Sequence, residues 1–82
     1  MNSIRAQLMG ELEVRKQKRV GLTLAGRSHV EAMEVKLARS SFIPIEEIDA
    51  SAISYHAGEL LHIQNELKQV NEEIVKIQKE LE

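Results

Sequence analysis

The chain has no cysteine among its 82 residues, which excludes disulfides, thiolate metal ligands and a cysteine nucleophile. Aromatic residues are nearly absent, since Phe42 and Tyr55 are the only two. That pair can build neither a bulky aromatic core nor a row of stacking platforms for nucleic-acid bases. Proline occurs once, at Pro44, and glycine four times, so few positions oblige the backbone to turn. No apolar run reaches the length of a signal-peptide core or a membrane span, and a soluble, cytoplasmic protein without membrane partners is the default expectation.

What is present is Leu, Ile, Val, Ala and Met among 29% charged residues, the palette of helical bundles and coiled coils. From Ile53 onward the apolar residues fall into a 3–4 alternation: Ile53, Leu60, Ile63, Leu67, Val70, Ile74, Ile77 and Leu81, with His56 in the remaining slot. A spacing of about 3.5 residues marks a helix whose narrow seam packs on another helix. In heptad lettering Ile53, Leu60, Leu67, Ile74 and Leu81 are a positions, and His56, Ile63, Val70 and Ile77 are d positions. The four complete g positions are all glutamate: Glu59, Glu66, Glu73 and Glu80.

The net charge of −2 conceals two unlike halves. Residues 1–40 hold eight Lys and Arg against four Asp and Glu, whereas residues 41–82 hold three against nine. A basic half and an acidic half in one short chain are suited to pairing with each other.

The first arm is expected over residues 2–40, opening at a cap on Asn2 or Ser3, with Ile4, Leu8 and Leu12 as an apolar stripe. Stepping by about 3.6 residues continues that stripe through Arg15, Arg19, Leu22, Gly26, Val30, Met33 and Leu37. Within Val20-Gly21-Leu22-Thr23-Leu24-Ala25-Gly26, two glycines and a local alternation favour a kink or break somewhere in 20–27. Ser28-His29-Val30-Glu31 fits a capping box and supports either a restart there or a chance match inside a longer helix. The turn is expected over 41–44, because Pro44 disfavours helical geometry at Ile43 and suits a helix's first turn. A second helical arm then runs over residues 45–82.

The expected fold is therefore all-α, an antiparallel, coiled-coil-like helical hairpin forming one domain. In that hairpin the basic run Arg15–Arg19 falls opposite the region around Glu66, and Arg5 near Glu80. The g-position glutamates disfavour an antiparallel copy of the same helix and select a basic partner. Because an isolated two-helix hairpin has little core, packing into a bundle with another copy or a partner is expected.

Several motifs carry less. Gly21-Leu22-Thr23-Leu24-Ala25-Gly26-Arg27-Ser28 nearly spells a phosphate-binding loop, but the basic residues before it cannot form the buried strand that such a loop requires. Glu59-Leu60-Leu61-His62 has the Glu-x-x-His spacing of di-iron bundles, yet lies at g and c, on the flank of the seam. Histidine at d, His56, is read as a polar seam residue rather than a metal or pH-sensing one, and His29 and His62 lack a partner at ligand spacing. No metal or other cofactor is expected, nor is a catalytic serine–histidine–acid set arguable. Arg15, Lys16, Lys18 and Arg19 are the one candidate for nucleic-acid contact, although a run of consecutive residues wraps around a helix. The functional expectation is a non-catalytic protein–protein interaction module (an adaptor, assembly factor or inhibitor). It would act through the Ile53–Leu81 seam on a protein partner or as a homo-oligomer. The alternatives are a nucleic-acid-associated regulator using Arg15–Arg19 and, less favoured, a metal-binding bundle through Glu59 and His62.

Overall fold

The computed structural model describes residues 3–82. Two long helices, α1 (Ser3–Ser40) and α2 (Ala50–Leu81), run antiparallel and pack along their length, and no strand occurs among the described residues. Their connection, residues 41–49, contains a short 3-10 turn at Ile45–Glu47. The result is a rod of 67 × 15 × 14 Å with a radius of gyration of 18.8 Å. A compact domain of this length would have a radius of about 12 Å.

The seam of α2 follows its heptads. Ile63, Val70, Ile74 and Ile77 are buried, with Val70 the most enclosed, and Ile53, His56, Leu60, Leu67 and Leu81 are half-buried. The facing seam on α1 is of different chemistry. Leu8, Leu12, Arg15, Arg19, Leu22, Gly26, His29, Met33, Lys36 and Ser40 all face inward to some degree, again at steps of four and three. That period tracks 3.5 residues per turn, not the 3.6 expected from the apolar stripe. The accumulated drift puts Ile4 and Leu37 outside, with Lys36 taking the place expected of Leu37.

The expected break in 20–27 does not occur. Helix α1 passes through the segment uninterrupted. Leu22 and Gly26 both land on the seam, Leu24 points out, and the Thr23 hydroxyl donates to the Arg19 carbonyl at 2.8 Å. Packing against α2 offsets the roughly 1 kcal/mol that each glycine costs an isolated helix. Ser28 and Glu31 sit on exposed positions inside the helix, so the capping-box spacing there marks no helix start. Of the two expected caps at the N-terminus, Ser3 is the first residue of α1 and Asn2 lies outside the described residues.

Helix α2 begins at Ala50, five residues later than the sequence reading placed it. Pro44 opens only the 3-10 turn, and Ile48 is extended at φ −66°, ψ 131°. Asp49 then caps α2, one carboxylate oxygen accepting from the Ala52 amide at 3.2 Å and from the Ser51 hydroxyl at 3.3 Å. Asp is a strong N-cap because its short side chain reaches the orphan N–H groups of the first turn. Among the described residues no helix is long and apolar enough to cross a membrane.

Candidate interaction surface

The sequence predicted several cross-helix contacts, and the longer connection moves their register. With nine residues between the helices, Arg15 meets Glu73, its Nε donating to a carboxylate oxygen at 2.8 Å. Arg19 donates to the Asn71 side-chain oxygen at 3.4 Å. Both partners lie further along α2 than the Glu66 region expected for a turn centred at 41–44. Glu66 instead pairs within its own helix, with His62 Nε2 at 2.8 Å. Arg5 reaches the end of α2 but donates to the Leu81 carbonyl at 3.0 Å, where a cation satisfies an unpaired C-terminal carbonyl of a helix.

Of the four g-position glutamates, then, Glu73 makes an ion pair with α1. Glu66 is held by His62, Glu59 is half-buried on the flank, and Glu80 is exposed. At the turn, the Lys36 ammonium lies 3.2 Å from the second Asp49 oxygen. The Ala52 amide, followed by Lys36, holds the Asp49 carboxyl below its ordinary range.

Of the candidate nucleic-acid contacts, Arg15 and Arg19 are engaged with α2, Lys16 is half-buried on the flank, and Lys18 is exposed. The four residues do not share one open face. The Glu-x-x-His candidate separates as well, since His62 turns one turn forward to Glu66 rather than back to Glu59. Among the described residues no three His, Asp or Glu side chains gather as metal ligands would.

One contact was not anticipated. His29, for which no partner was expected, faces His56 across the seam with Nδ1 atoms 2.8 Å apart, and Tyr55 lies edge-on to both rings. The signal that could have found it was the 3.5-residue phase of α1, which puts His29 at a d-type position like His56.

At Gly26 the side chains of α2 lie directly over the α1 backbone. A methyl group built there would stand 3.6 Å from both Ile63 Cγ2 and Leu60 Cδ1. Beside it a shallow, open groove of about 220 Å³ is lined by Thr23, Val30, Leu60, Ile63, Gln64 and Leu67, among others. Elsewhere large apolar side chains point to solvent: Val14, Val20, Leu24 and Val35 on α1, Leu61 and Val75 on α2, and Phe42 and Ile45 at the tip. Comparison with family models, curated proteins and solved structures gives no match for this chain.

Proposed function

We propose that the protein is a non-catalytic interaction module, an adaptor-like hairpin completed by another helical surface, for which a second copy is the simplest occupant. The observation that carries this reading is the imbalance between covered and uncovered apolar groups. Four large apolar side chains are buried, whereas Phe42 is 88% exposed, Leu24 65% and Val75 49%. The accessible surface is 6342 Å² for a mass of 9.3 kDa. A compact monomer of that mass exposes only about 5,000 Å². The excess of about 1,300 Å² exceeds the roughly 800 Å² that each partner contributes to a standard interface.

A helix face is also the surface that a rod of this shape has most of. Ridges of side chains at i, i+3 and i+4 pack into the grooves of another helix without a preformed cleft. The apolar tip at Phe42 and Ile45 adds a compact contact point at one end of the rod.

Sedimentation or light scattering across a micromolar concentration series tests self-association, and cross-linking mass spectrometry in native lysate tests for other proteins. The expected result is a mass above that of one chain, or a reproducible protein partner, in either case reduced by Leu24→Asp or Val75→Asp with helicity retained. A monomer at every concentration that also cross-links to no protein refutes the reading.

A further inference from the structure

His29 and His56 are half-buried rings, one from each helix, whose centroids lie 5.1 Å apart and whose Nδ1 atoms are 2.8 Å apart. Two imidazole nitrogens hold that separation only when one carries a hydrogen and the other offers its lone pair. We propose that this pair is a pH-operated clasp between the two helices, closed while the rings share no more than one added proton and forced open when both are protonated.

The proton count follows from the tautomers. In the neutral pair one ring donates from Nδ1–H, and the acceptor ring keeps its hydrogen on Nε2. The first added proton goes to the free Nε2 of the donor ring, which keeps the bond and makes it charge-assisted. A second proton has only one place left, the Nδ1 lone pair that is already accepting. Taking it sets donor against donor and places two cations side by side across the seam.

Among the described residues no carboxylate lies within 4.0 Å of either ring to pair with that second charge. His62 is the one histidine within 4.0 Å of a carboxylate among the described residues. Tyr55 is edge-on to both rings and brings no carboxylate to them. The nearest acid on α2 is Glu59, one turn along on the flank, while Arg27 and Glu31 on α1 are exposed. Lys36 and Asp49 are occupied with each other toward the turn.

In the unfolded chain the two rings are far apart and each takes its proton independently near pH 6.5. Below that, the unfolded state binds one more proton than the closed hairpin. Stability then falls with falling pH, the unfolding constant rising by up to about tenfold per pH unit.

Denaturant unfolding of the full chain, followed by far-UV circular dichroism at fixed protein concentration, tests this from about pH 7.5 to about pH 5, a window that brackets the histidine range. The unaltered protein is expected to lose stability toward the acid end, and His62→Gln to follow it. The double variant His29→Leu, His56→Leu is expected to lack that loss, because leucine at both seam positions packs without titrating. A double variant that tracks the unaltered protein, or an unaltered protein that does not respond, overturns the clasp. Independently, NMR titration of the ring protons should give two separated steps shared by His29 and His56. Two coincident, independent steps would overturn it as well.

Discussion

Glycine at position 26 offers the sharpest test of the hairpin. In α1 it is the single buried residue, facing Leu60 and Ile63. A methyl group at its Cα would meet those side chains at 3.6 Å, ordinary van der Waals contact, so Gly26→Ala needs no movement of either helix. Replacing a helical glycine by alanine contributes about 1 kcal/mol through backbone entropy alone. Burying the new methyl adds up to about 0.8 kcal/mol. At the same time Gly10, Gly21 and Gly58 have nothing within 4 Å of a built Cβ, so alanine there yields the propensity gain only. For a chain of this size about 1 kcal/mol corresponds to a shift in Tm of roughly 4–8 °C. Thermal melts should therefore rank Gly26→Ala at or above Gly21→Ala, both above the unaltered protein. Leucine at 26 reverses the sign, because its branched end must push α2 away, at a cost of about 1–3 kcal/mol. If Gly26→Ala lowers Tm while Gly21→Ala raises it, the helices are closer than 3.6 Å contact allows. If Gly26→Leu is as stable as Gly26→Ala, no helix faces this residue and the register is refuted.

Ile74 is 3% exposed. Truncating it to alanine should cost about 2–5 kcal/mol, and Ile74→Asp should abolish helicity at room temperature in circular dichroism. Arg15 and Glu73 form a 2.8 Å pair with side chains 33% and 36% exposed. A double-mutant cycle should find a coupling of no more than about 1 kcal/mol that shrinks with added salt, since solvent screens the pair. Larger, salt-insensitive coupling would place the pair in a drier environment than this seam. Asp49 has its carboxyl held below the ordinary range by the Ala52 amide and Lys36. Its contribution is therefore present above the unfolded value near pH ~3.9 and lost as pH falls through the lower folded value. Asp49→Asn should keep most of the cap with a shallower acid loss, and Asp49→Ala should lower Tm at neutral pH, both read by thermal melts against pH.

The second helix was legible because its seam is apolar at nearly every position from Ile53 to Leu81. The hydrophobic effect acts on those residues whatever they face, so the pattern announces itself. The first helix hid its seam because Arg15, Arg19, Gly26, His29 and Lys36 occupy inward positions that no apolar template would select. These residues are acceptable there only because α2 supplies Glu73, Asn71, the Leu60–Ile63 surface and His56 across from them, and its N-cap supplies Asp49. Such matching is a property of the pair and cannot be read from one strand of sequence. The late start of α2 escaped for a related reason. Pro44 is a strong local signal, but the Asp49 cap joined to Lys36 depends on the end of the other helix.

That mismatch of seams also decides what each helix is free to pair with. Two copies of α1 seam to seam would bring Arg15 and Arg19 against like charges with little apolar burial to offset them. Two copies of α2 packed antiparallel would oppose their g-position glutamates, and like charges in direct opposition are destabilising. Folding α1 onto α2 relieves both at once: the arginines find Glu73 and Asn71, the close approach at Gly26 fills with Leu60 and Ile63, and the apolar seam is spent inside the chain. The apolar groups that the hairpin leaves outside include Val14, Val20, Leu24 and Val35 on one helix, Leu61 and Val75 on the other, and the Phe42–Ile45 tip. Substitutions in the α2 seam should consequently disturb folding before binding, whereas those at Leu24 or Val75 should disturb binding alone.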